Sequence, residues 1–145
     1  MSDFVTTYAR HKKARAKANE LNKAVVFEAL KAAGITAVFI EFDGAGDSGQ
    51  IESVLASADD KPINFPATTV KIHAAPWNQA ELSVKETSLR SAVEDLCYGY
   101  LEQSHAGWEN NDGAYGEFTF HVSERRIELD FNGRYTETWS DTDNF

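Results

Sequence analysis

Apolar positions change their period along the chain, and the changes mark its elements. From Asn22 to Gly34, Val25, Val26, Ala29, Leu30 and Ala33 form one helical stripe, with Asn22 placed to cap the start and Gly34 to stop the end. The preceding stretch, Asp3 to Asn19, is rich in Ala and Lys and only weakly amphipathic through Val5, Tyr8 and Ala9, which predicts a helical arm. At Thr36 the period drops to two: Val38, Ile40 and Phe42 share one face up to Asp43, and a second strand is expected from Gln50 to Ala56. The intervening Gly44-Ala45-Gly46-Asp47-Ser48-Gly49 then reads as a hairpin loop whose glycines permit positive φ. Asp59 to Ala67 reads as a proline-bearing loop. Thr68 to His73 and Ala80 to Lys85 read as two strands flanking a Pro76-Trp77-Asn78 turn.

The strongest periodicity follows. Leu89, Ala92, Val93, Leu96, Cys97, Tyr100 and Leu101 hold helical spacing behind a Thr87 or Ser88 cap, with Gly107 beyond the end. Phe118, Phe120 and Val122 then alternate with polar residues, Ser123 to Arg125 turn the chain, and Ile127, Leu129 and Phe131 alternate again. Asn132-Gly133 has the residues of a two-residue hairpin turn, which predicts a last strand from Tyr135 to Trp139. Helix, hairpin, two strands, helix and three strands give an α+β fold, two or three helices packed on an antiparallel sheet. The expected division is a basic helical arm over 1–21, a single domain over 22–139 and a flexible acidic tail over 140–145.

Composition adds a charge asymmetry. The net charge is -9, yet up to Lys31 seven basic residues face three acids. An acidic body of this kind is repelled by nucleic acid and attracted to a basic protein groove. Direct nucleic-acid contact is left to the arm, through Arg10, Lys12, Lys13, Arg15 and Lys17, which carries no glycine-rich cradle and no interleaved aromatic platform. One cysteine, Cys97, sits on the apolar stripe of the long helix and suits packing rather than catalysis. No bilayer-length apolar run and no secretory leader is visible, so a cytoplasmic protein is expected.

The letters Gly46-Asp47-Ser48-Gly49 match the surroundings of a protease serine, but only His11 precedes Ser48, and no triad can be assembled. His105, at the end of the long helix, suits the helix dipole better than catalysis. Carboxylates are more informative. If the first hairpin loop and the Trp108 to Gly116 loop meet at one sheet edge, Asp43, Asp47, Glu109, Asp112 and Asp130 converge in the oxygen-rich pattern that suits magnesium, manganese or calcium. Neither loop has twelve-residue calcium-site spacing, and Asp, Asn and Gly are also ordinary turn residues.

The two stretches GAGDSGQIE (from Gly44) and HAGWENNDGAYGEF (from His105) together resemble a family of small bacterial proteins catalogued only as a domain of unknown function. The resemblance runs from about Asn22 to Tyr135 and implies accessory products of bacterial genomes, plasmids and phages, without an activity or ligand to carry over. Two expectations follow. The first is a non-enzymatic, cofactor-free protein that binds a protein partner through its acidic, glycine-rich loops, as an inhibitor or regulator acting by charge mimicry. Its contact residues would be Asp47, Ser48, Gln50, Trp108, Glu109, Asn110, Asn111, Asp112 and Tyr115. The alternative is a divalent-metal protein, in its enzymatic form a phosphodiester hydrolase using the five carboxylates.

Overall fold

The computed structural model describes residues 3–46, 48–77, 81–110, 112–135 and 140–145. It is an α+β fold with the element order α1 (Asp3–Ala32), β1 (Ala37–Ala45), β2 (Ser48–Ala58), β3 (Lys61–Ile63), β4 (Thr69–Ala74), β5 (Ser83–Ser88), α2 (Leu89–Ser104), β6 (Ala114–His121) and β7 (Arg126–Gly133). An antiparallel five-stranded sheet runs β3-β2-β1-β6-β7, and β4-β5 forms a separate hairpin.

The long helix at the centre of the sequence is the one its periodicity predicts. Ser88 caps α2 by accepting from the Ser91 N–H, and all six of its fully buried side chains, Leu89, Ala92, Val93, Leu96, Cys97 and Leu101, belong to the spaced stripe. His105 is its C-cap, donating its backbone N–H to Leu101 O while its ring stacks on Phe131 at 3.8 Å.

The first helix differs from expectation. The arm and the second helix are one continuous α1 of 30 residues, so the boundary expected at 21 falls inside it. Asn22 is not a cap: its amide is buried and exchanges two hydrogen bonds with the backbone of His73 on β4, at 2.9 and 2.7 Å. The helix ends as predicted at Gly34, where Gly34 N–H to Lys31 O and Ile35 N–H to Leu30 O close a Schellman motif.

Both helices lie on one face of the sheet. Val38, Ile40 and Phe42 of β1, Val54 and Ala56 of β2, and Phe118 and Phe120 of β6 pack beneath Val26, Phe27 and Leu30 of α1 and the stripe of α2. Phe27 stacks on Phe120 at 5.7 Å, an arrangement worth about 1 kcal/mol beyond its area burial. The β4–β5 hairpin packs against the helices and contributes Ile72 to the core.

Two turns were misplaced by sequence. The expected loop from Asp59 contains β3, reached through Asp59 and Asp60, both at positive φ between the paired Ala58 and Lys61. Asn132-Gly133, conversely, is not a turn: both residues remain in β7, opposite Tyr115 and Ala114. The strand expected from Tyr135 to Trp139 falls largely outside the described residues, and Tyr135 itself is not in a strand. Residues 140–145 are exposed and without regular structure.

Candidate functional site

The two glycine-rich stretches meet, and Trp108 is what joins them. Gly44 and Gly49 are cross-strand partners in the β1–β2 hairpin, and the Trp108 indole lies over both. A Cβ at Gly44 would stand 2.6 Å from Trp108 Cζ3, and one at Gly49 would collide with Cη2. The turn itself is two residues long, since Ala45 pairs with Ser48, and Gly46 supplies the positive φ of 59° that it requires. On the other side Gly113, at φ 78°, abuts the Gly44 carbonyl so closely that no side chain fits. Phe42 completes the joint edge-on to Trp108 at 5.4 Å.

Trp108 is only 7% exposed, so its indole is engaged in joining the loops rather than offered to a partner. Glu109 packs beside Gly44 and Gly49, and its Oε2 is buried without a hydrogen bond. Ser48, Gln50, Asn110, Asp112 and Tyr115 are exposed, while Asp47 and Asn111 lie outside the described residues.

Five carboxylates were expected to gather around a metal, and one of them, Asp47, lies outside the described residues. Among the described residues no group of three or more His, Cys, Asp or Glu side chains could hold a metal ion. The carboxylate of Asp43 is engaged instead by Arg134, whose two terminal nitrogens donate to Oδ1 and Oδ2 at 3.0 Å each. The same guanidinium donates to the carbonyls of Gly44 and Ala114 and lies 4.6 Å over the Tyr115 ring. The bond to Asp43 raises the Arg134 pKa further above its ordinary value. Nothing in the sequence marked Arg134, because its partners come from β1 and β6.

What the topology gathers is a different set of acids. On the face of the sheet away from the helices, Glu41 of β1 stands opposite Glu117 of β6, and Glu117 stands opposite Asp130 of β7. Three like charges thus occupy neighbouring positions on three strands. Glu52 joins them through a bulge: the β1–β2 register shifts between Glu41 and Phe42, passing from Ser53 to Ile51, and the Ile51 N–H donates to the Tyr98 hydroxyl at 2.8 Å. These acids, with Asp43, Tyr115 and Asn132, line a depression of about 290 Å³. The same face exposes Phe39 and its cross-strand partner Leu55, which is 61% exposed.

Asp43, Asp130 and Tyr115 were legible as site residues in the sequence, whereas Glu41 and Glu117 were not. The pairing of Glu117 with Asp130 follows from the short β6–β7 turn. Glu41 enters only because β1 lies beside β6, a neighbour 76 positions away in the register that no local pattern announces.

Comparison with curated proteins and with solved structures gives no match. A family model matches residues 18–145, covering both glycine-rich stretches and all of the sheet. The chain therefore belongs to the Family of unknown function (DUF6878).

Proposed function

We propose that the protein is a non-enzymatic binding protein that engages a basic protein surface through the open face of its five-stranded sheet. The observation that carries this reading is the row Glu41, Glu117 and Asp130 on adjacent strands. Like charges directly opposite each other destabilise a sheet, so this face gives up stability that a neutral face would retain. A basic partner removes that repulsion on binding, and exposed Phe39, Leu55 and Tyr115 on the same face add apolar contact area. Ser48 and Gln50 belong to the hairpin at one end of this face and extend the contact. A partner surface that otherwise takes a polyanion fits best, and the protein then acts as an inhibitor or accessory factor by charge mimicry, of the kind a mobile element uses.

The test is a pull-down from the source cells at low and high salt, comparing the native protein with the variant Glu41→Gln, Glu117→Gln, Asp130→Asn. The expected result is a basic partner retained at low salt by the native protein and lost both at high salt and from the variant. A partner captured equally by both proteins refutes the reading.

A further inference from the structure

Of the two outer edges of the five-stranded sheet, one is blunted and one is open. On the β2 side the strand is bulged at Glu52, and the Ile51 N–H is already taken by the Tyr98 hydroxyl. β7 has neither feature: it is eight residues long, keeps an unbroken register with β6, and no strand among the described residues lies beyond it. Such an edge is a ready template for another chain.

The register shows which backbone groups face outward. Arg134 N–H donates to Gly113 O, one step past the paired Ala114 and Gly133, and in an antiparallel ladder the bonded pairs alternate. Arg126, Glu128, Asp130 and Asn132 therefore bond to β6, while Ile127, Leu129 and Phe131 turn their N–H and C=O groups to the open side. The side chains of these three lie on the helical face, where the His105 ring stacks on Phe131 but Ile127 and Leu129 stay half-buried. Beside them Phe118, Lys23, Tyr100 and Ser104 complete the lining of a groove of about 240 Å³ between β7 and the helices. An added strand thus has backbone partners along its length and an apolar groove for every second side chain.

Charge decides the kind of strand. On the other face of β7, Arg126 and His121 hold Glu128 at 3.3 and 3.1 Å, whereas Asp130 has Glu117 beside it and no cationic partner among the described residues. A second copy of β7 does not suit this edge. Two-fold pairing centred on Glu128, Leu129 or Asp130 sets acid against acid in every case: Glu128 on itself, Glu128 on Asp130, or Asp130 on itself. We propose that the edge of β7 takes up an extended segment of alternating apolar and basic residues as a further antiparallel strand, its apolar side chains beside Ile127 and Leu129 and a cation beside Asp130. This docking rests on the open face being a basic partner's contact, and it continues the row Glu41, Glu117 and Asp130 with a positive charge on the next strand.

A capped peptide alternating valine with lysine is titrated into the full chain at low salt, followed by NMR and calorimetry. It is expected to shift the amides of Ile127, Leu129 and Phe131, and a peptide alternating valine with glutamate is expected to bind at least about tenfold more weakly. In an antiparallel added strand the valines opposite Ile127 and Leu129 turn their N–H groups to β7, and the lysines turn theirs to solvent. Methylating the valine nitrogens is therefore expected to weaken binding by about tenfold or more, and methylating the lysine nitrogens to leave it unchanged, with the protein itself untouched. Leu129→Lys, which puts a charge in the groove, is expected to lose the peptide, and Asp130→Asn to weaken it. No shifts at millimolar peptide, shifts confined to other strands, equal effects of the two methylations, loss on lysine methylation alone, or a chain that sediments as a dimer broken by Leu129→Lys overturns the proposal. In the pull-down, a partner kept by Leu129→Lys yet lost from the variant neutralised at Glu41, Glu117 and Asp130 overturns the edge and leaves the open face as the contact. A partner kept by both variants refutes the open face itself.

Discussion

Trp108 shows how different the reasons for neighbouring glycines are. The sequence suggested that all the glycines of the first loop serve backbone freedom, but only Gly46 has a positive φ there; Gly44 and Gly49 leave room for an indole. Gly49→Ala should therefore cost about 1–3 kcal/mol in urea unfolding through overpacking. Gly46→Ala, with nothing within 4 Å of its added Cβ, should cost only about 1 kcal/mol, the left-handed strain of one residue. Equal costs would mean that Trp108 yields readily. Cys97 is a second residue whose behaviour follows from position. Burial, and secondarily the charge of Glu94, hold its thiol pKa well above the ordinary value. A thiol reagent should modify it only as fast as the chain unfolds, and prompt labelling of the native protein would contradict its place in the core.

At the scale of elements, what was legible had a local cause. The stripe and the Ser88 cap of α2 lie within one stretch of chain, so period and capping chemistry sufficed. Asn22 and the Asn132-Gly133 pair failed for the opposite reason. Each has strong local preferences, for a cap and for a turn, and each is overruled by a distant partner: the His73 backbone in one case, β6 in the other. Asn22→Ala should cost about 2 kcal/mol or more, since it leaves the part-buried N–H and C=O of His73 unpaired, and should speed hydrogen exchange at the His73 amide. Between the helices, Tyr100 is pushed up to about 12 by burial first and then by Cys97 and Glu20. Its folded value lies above the ordinary tyrosine value of 10.0, so the stability it contributes is complete below that pH and is lost as pH rises through about 12. Ultraviolet titration should show a tyrosine that ionises late and disappears in Tyr100→Phe; an unchanged titration curve in that variant would refute the assignment.

Across the whole molecule, charge is sorted by face. The sequence revealed a basic start and an acidic remainder, but not that the strand order would line up Glu41, Glu117 and Asp130, because that requires the β1–β6 register. Neutralising the three should raise the melting temperature, most at low salt where like charges are least screened, and a fall in melting temperature would show that the row is internally compensated. The two glycine-rich loops meet, and their contact is the Trp108 indole lying over Gly44 and Gly49. The Asn22 amide has a consequence at this scale as well. It occupies one donor and one acceptor on the side of β4 turned toward α1, in the way a neighbouring strand would. A helix side chain thereby blocks a site where another polypeptide could add itself as a strand, so Asn22→Ala should form concentration-dependent aggregates before it unfolds.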